Sequence, residues 1–163
     1  MLHRVDAIIS DIRYGEYLRR NADYEKNRRF CRHDWQHMLD VARIAYMLAL
    51  ESGRRQGLSK EIIYAAGLLH DIGRWREYRS GEDHAAAGAR LAGPLLDRAG
   101  FSGAEKEIIT AAIREHRNGG RQASSLGRLI CTADDLSRPC HRCPARGECY
   151  KADRMATAGL LLY

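Results

Sequence analysis

Six side chains of this chain could together hold metal ions and activate water: His37, the adjacent pair His70 and Asp71, then His84, His116 and Asp134. In order they read His, His-Asp, His, His, Asp. Hard-to-borderline divalent ions accept such a mixed imidazole and carboxylate shell, and the shell is costly to bury unless something coordinates it. The set therefore reads as a buried metal site.

A second His-Asp pair, His33-Asp34, means that the surroundings must decide between the two. Residues 59 to 70 open on Ser59, a good N-cap, and place Ile62, Ile63, Ala66 and Leu69 at helical spacing. Gly73 then supplies a stop signal. Adjacent helical residues point about 100° apart, so both members of a His-Asp pair can face one ion chiefly where a helix ends and the chain bends. His70-Asp71 sits at such an end. His33-Asp34 follows a basic stretch at 27 to 32 that looks like a helix entry, which assigns Asp34 to a cap or first turn near the positive end of a helix dipole.

The other candidates need helices to carry them. A core helix over 34 to 51 aligns Met38, Ala42, Ala45 and Ala49, thickened by Leu39, Val41, Leu48 and Leu50, with His37 one turn before Val41. His84 opens a helix over 83 to 98 that packs through Ala85, Gly88, Leu91, Ala92 and Leu95, and Pro94 is expected to kink or shorten it. Ser102-Gly103-Ala104-Glu105 fits a capping box for a helix over 103 to 117, striped by Ile108, Ile109, Ala112 and Ile113 and ending on His116. In the apolar helical segment 129 to 136, Asp134 is in register with the buried side and Asp135 is assigned to solvent. Singly, each histidine has a plainer reading: His37 as a hydrogen-bonded core residue, His84 as a solvent-facing helix start, His116 as a cation at a helix C-terminus.

Taken together, His37-Met38-Leu39-Asp40-Val41-Ala42-Arg43, Leu68-Leu69-His70-Asp71-Ile72-Gly73, His84 to Ala89, Ile113-Arg114-Glu115-His116 and Ala133-Asp134-Asp135-Leu136 resemble the HD superfamily of metal-dependent phosphohydrolases over residues 28 to 140. The resemblance implies an all-α, single-domain helical bundle over 1 to 163, with a cysteine-containing C-terminal segment at 139 to 150. It also implies a dinuclear centre, since members with two extra histidines between His-Asp and the final Asp hold two ions. His37, His70, Asp71 and Asp134 would hold the first ion, His84 and His116 the second, with Asp71 bridging. A hydroxide shared by two such ions would be the nucleophile in phosphoryl transfer. Iron or manganese suits this shell, and zinc, nickel and cobalt stay open. No Gly-Tyr-Pro follows His70-Asp71, unlike cyclic dinucleotide phosphodiesterases of the superfamily, and the partner domain of alarmone hydrolases is lacking. The substrate is expected to be a small phosphorylated molecule, a nucleotide above others.

Arg74, with Arg114 and Arg117 beside His116, are the nearest cations that could neutralise phosphate, and His33 is either a general acid or a surface residue. Arg74, His33 and Asp71 are thus the catalytic candidates. Excess positive charge is modest, 27 basic against 21 acidic side chains for a net +6 over 163 residues, and it is dispersed in pairs such as Arg19-Arg20, Arg28-Arg29 and Arg54-Arg55. With aromatics at 7%, that suits a small polyanion better than a nucleic-acid partner. No apolar run approaches the roughly 18 residues that span a bilayer, and the start lacks a secretory pattern, so a cytoplasmic protein with no membrane partner is expected. Loops are expected at 52 to 58, 76 to 83 and 118 to 124, and Gly159 to Tyr163 reads as a terminal strand or an apolar tail. The oligomeric state is not legible.

After Asp134 comes Cys140-x2-Cys143-x5-Cys149, in a segment of little apolar periodicity. Three close thiols suggest a second metal site, completed by Cys31 or His141, as zinc or an iron-sulfur cluster; the alternative is reduced cytosolic thiols, or a disulfide if the compartment is oxidising. Cys131 reads as a small core residue. Besides a phosphohydrolase, the sequence leaves room for a non-catalytic nucleotide sensor using the same metal site, or a redox protein built on the cysteines.

Overall fold

Short polar side chains start nearly every helix. In the computed structural model, which describes all residues except Met1, Arg54, Arg55, Gln56, Gly119 and Arg121, Asp11 caps α2 (Ile12–Glu25), which follows α1 (His3–Ile9). Asp34 caps α3 (Trp35–Glu51), Ser59 caps α4 (Lys60–Leu69) and Asp83 caps α6 (His84–Arg98). The capping box of Ser102 and Glu105 forms as expected at α7 (Gly103–Glu115), and Ser124 caps α8 (Ser125–Leu136). Each cap satisfies a backbone N–H that the first turn leaves without a helical partner. Asp34 is thereby accounted for as structure.

The helix α5 (Arg74–Ser80) replaces most of the loop expected over 76 to 83. Its seven residues, RWREYRS, are too few to show a clear period; Gly81, at φ 73°, ends it in the left-handed conformation that glycine adopts readily. Pro94 neither stops nor shortens α6. Parts of the expected loops at 52 to 58 and 118 to 124, and the Arg54-Arg55 pair, lie outside the described residues.

Around the core, α3 packs on α4 and α8, and α7 closes the ring by packing on α4 and α8; α6 lies on α7, and α5 on α6 and α2. Val41, Ala45, Ile63, Leu69, Ile109, Ile113 and Ile130 fill the centre. Leu50 and Ile108, counted from the sequence into apolar faces, are 48% and 41% exposed, because the 3.6-residue stripe turns past the packing partner at those positions. Among the described residues there is no strand: 139 to 158 fold as 3₁₀ turns and 160 to 163 have no regular structure, so the terminal-strand expectation fails. No helix among the described residues is long and apolar enough to cross a membrane.

Gly73 does a different job from the one expected. Its backbone is ordinary right-handed (φ −89°), but a Cβ there would stand 2.5 Å from the His84 carbonyl oxygen and also meet Gly88. The glycine lets the turn after α4 lie directly on the first turns of α6. Gly67 likewise permits α4 to touch α3, since its Cβ would lie 2.6 Å from Ala42 Cα.

Candidate metal centre

Two helix ends present imidazoles by the same device. His70, the residue after α4, donates Nδ1–H to the Gly67 carbonyl at 2.7 Å, and His116, the residue after α7, does so to the Ile113 carbonyl at 2.7 Å. With Nδ1 spent on the backbone, each ring turns its Nε2 lone pair inward. His84 reaches the same place from the first position of α6, with Nδ1 on Glu77, and His37 from the first turn of α3. The turn carrying Asp71 is clamped by the fully buried Asn21 of α2, whose Nδ2 donates to the Asp71 carbonyl at 2.9 Å while its Oδ1 accepts from Trp75 N at 2.8 Å.

Asp71 occupies the middle. Its Oδ2 lies 3.4 Å from His70 Nε2, 3.6 Å from His33 Nε2 and 4.0 Å from His37 Nε2, and its Oδ1 lies 3.2 Å from His84 Nε2 and 3.5 Å from His116 Nε2. Each carboxylate oxygen thus faces its own set of imidazoles. Asp134 extends the first set, with Oδ1 3.3 Å from His37 Nε2 and 4.0 Å from His70 Nε2. Two groups, His37 with His70 and Asp71, and Asp71 with His84 and His116, offer ligand atoms that all lie within 4.8 Å of one another. At metal–ligand bonds of about 2.1 Å, octahedral neighbours stand about 3 Å apart and opposite ligands about 4 Å, the range observed. The two Asp71 oxygens and His70 Nε2 are buried without a hydrogen-bond partner, an arrangement a cation would satisfy. The residues fit divalent ions.

Electrostatics agree with a site prepared for cations. Burial opposes charge on Asp71, yet His70, His33 and Arg74 hold its carboxyl well below the usual range, and Arg138 with His37 does the same for Asp134. Burial and Arg138 push the His37 ring down to about 4, leaving it neutral and able to ligate. His70 moves the other way: the adjacent Asp71 outweighs burial and raises it.

Residues 34 to 138 match the HD domain model. The chain belongs to the HD domain family. An uncharacterized protein of Clostridium beijerinckii is 38% identical over 93% of this chain and 94% of its own length. A bifunctional uridylyltransferase/uridylyl-removing enzyme of Nitrobacter winogradskyi is 39% identical over 40% of this chain, and ribonuclease Y of Enterococcus faecalis 33% identical over 62%. The aligned regions cover only 7% and 17% of those two proteins, so their whole activities are their own. The crystal structure of a predicted HD superfamily hydrolase from an uncultured Thermotogales bacterium superposes with a TM-score of 0.57 at 32% identity, covering 75% of this chain and 66% of that one. For this HD domain, metal-dependent phosphohydrolase chemistry is supported at the level of the superfamily.

The HD fold brings all six expected ligand residues to one corner. Asp134 points inward and Asp135 is exposed, as their register suggested. His33 is 2% exposed, so its reading as a surface residue fails: its Nδ1 is bonded to Glu25 and its Nε2 accepts from Arg74 at 3.1 Å. Arg74 lies inside the centre, its Nε 3.8 Å from Asp71 Oδ1. Arg117 is held at the rim by Asp83 at 2.6 Å, and Arg114 is exposed. Four residues escaped the sequence reading: Glu25 and Glu77 behind His33 and His84, Asn21, and Arg138, which donates to Asp134 Oδ1 and His37 Nε2, both at 2.9 Å. For Arg138 a signal existed, its i+4 spacing from Asp134. Glu25 and Asn21 meet the site only through tertiary packing.

Proposed function

We propose that this HD-domain protein is a metal-dependent phosphohydrolase that cleaves a nucleotide or another small phosphoester in the cytoplasm. The observation that carries the reading is the division of Asp71, one oxygen toward His33, His37 and His70 and the other toward His84 and His116. His37, His70, Asp71 and Asp134 would hold one ion and Asp71, His84 and His116 a second, with iron or manganese the preferred metals. When bound, such a pair lowers the pKa of water toward neutrality and offsets phosphoryl charge.

The chain's own groups supply the rest. Arg74 carries a guanidinium beside Asp71 and next to both His33 and His84, where it can meet a phosphate oxygen with its fork of N–H donors. His33 exchanges a proton with substrate at Nε2, and the buried Glu25 carboxylate on Nδ1 stabilises the charged ring when it forms. Glu77 fixes the tautomer of His84 in the same way. The nucleotide preference is supported by the net charge of +6 and by two relatives whose names, uridylyl-removing enzyme and ribonuclease, both concern nucleotidyl groups.

The test is phosphate release from a panel of nucleotides and simple phosphoesters with manganese or iron added. Release that is abolished in Asp71→Asn supports the proposal. Tight nucleotide binding without release makes the protein a sensor, and neither binding nor release overturns the reading.

A further inference from the structure

Cys31, Cys140, Cys143 and Cys149 line a single cleft of about 470 Å³, although they come from two segments more than a hundred residues apart. None of the four forms a disulfide and all are half-buried. Cys31 thus shares the cleft with the other three; His141 is exposed and does not line it.

The segment that brings three of them there has little else to hold it. From 139 to 158 its regular structure is four 3₁₀ turns of three residues each, and its buried side chains are Ala145, Met155, Thr157 and Ala158. Such turns have poor hydrogen-bond geometry and no cooperative length, and so small an apolar surface does not offset the entropy of ordering them. The exposed ion pair of Arg29 with Glu148 at 2.6 Å adds at most about 1 kcal/mol. Small elements with so little core are commonly stapled by a metal or disulfides.

Sulfur spacing and charge choose the staple. Among the described residues no three of these sulfurs lie within 4.8 Å of one another. One tetrahedral zinc, with bonds of about 2.3 Å, needs sulfurs about 3.8 Å apart, whereas a cube with iron at alternate corners sets its thiolates about 6 Å apart. Six arginines line the cleft against two aspartates, Asp34 and Asp40. An iron-sulfur cluster on four thiolates is a net anion, and a cationic wall favours both the thiolates and the cluster. We propose that Cys31, Cys140, Cys143 and Cys149 bind one four-iron, four-sulfur cluster.

The cluster would also steady the neighbouring metal centre. Arg138, two residues before Cys140, donates from Nη1 to the carbonyl of Arg32, next to Cys31, at 3.0 Å while its Nη2 holds Asp134 and His37. Both cysteine-bearing segments thus meet at one guanidinium that touches the proposed ligands.

The experiment is anaerobic purification of the full chain, with reconstitution by ferric iron, excess thiol reductant and sulfide, followed by visible absorption and counts of iron, zinc and acid-labile sulfide. About four sulfides per chain are expected. Sulfide should fall at least about fivefold in Cys31→Ser and in Cys143→Ser and stay unchanged in Cys131→Ser, whose thiol lies on α8 outside the cleft. Counting sulfide separates the cluster from iron at the His-Asp centre, and the wild-type count decides even if a variant misfolds. A colourless protein with zinc on the thiols, iron without acid-labile sulfide, no metal at the cysteines, or a chromophore that survives Cys31→Ser would overturn the proposal. None of these outcomes depends on phosphohydrolase activity.

Discussion

The corner around His70-Asp71 and the cysteine-bearing segment lie side by side and are built in opposite ways. The corner is held by packing: most of its walls are capped helices, two rings are fixed by the turn they terminate, and α4 meets α3, and the turn after α4 meets α6, through glycines where no Cβ fits. The segment at 139 to 158 has short 3₁₀ turns and few buried side chains. A site buried in a bundle can be arranged before its ions arrive, at the cost of unpaired buried polar atoms. A site on a thin coat needs its ligand to complete the fold.

The largest effect that would break this contrast is at Asp71. Asp71→Ala removes the carboxylate that, among the described residues, faces both imidazole sets, and activity should fall by at least about a thousandfold together with metal content measured by mass spectrometry. Full activity in that variant would remove Asp71 from the chemistry. His84→Ala is gentler: the expected metal count drops by half, with the set around His37 still occupied, and an unchanged count points to a mononuclear centre.

Packing itself is tested by two glycines. Gly73→Ala should destabilise the chain by about 3 kcal/mol in urea unfolding, because backbone atoms of α6 occupy the space of the new methyl. Gly147→Ala, in the cysteine-bearing segment with nothing within 4 Å, should change it by less than about 0.5 kcal/mol. Equal effects would erase the distinction between the two regions.

Smaller still is Glu77→Gln, which keeps shape but weakens the partner of His84 Nδ1; metal affinity should fall about tenfold, read by competition with a chelator. The mildest effect is on acid stability of the metal-free protein. The His37 pKa is depressed in the fold to about 4 from 6.5, so between these values the unfolded chain binds a proton the folded chain refuses. Stability from this residue is complete above pH 6.5 and is lost as pH falls toward 4. His70, raised rather than lowered, acts in the opposite sense, so the measurement is the difference in urea midpoint slopes between wild type and His37→Gln. Identical slopes would show that His37 is not held neutral.

Local signals made much of this legible in the sequence. Ser59, Ser102 with Glu105, and Asp34 announce helix starts because a cap acts on backbone within three residues, and the stripes of α4 and α7 follow from the 3.6-residue turn. His70-Asp71 at a helix end was legible for the same reason. The misses are of two kinds. Short α5 carries too few residues for a period to emerge, and Leu50 and Ile108 lie on stripes that outrun their partners.

Sequence alone determined which residue types could hold metal and which helices would carry them, since chemistry and helical period are properties of neighbours in the chain. Tertiary structure decided the rest: that Asp71 gives one oxygen to each imidazole set, that Glu25, Asn21 and Arg138 stand behind the ligands, and that Cys31 joins the three cysteines from the far end. Those partners are separated by up to a hundred residues or more, and only the packing of helices across the core brings their atoms within a few ångströms.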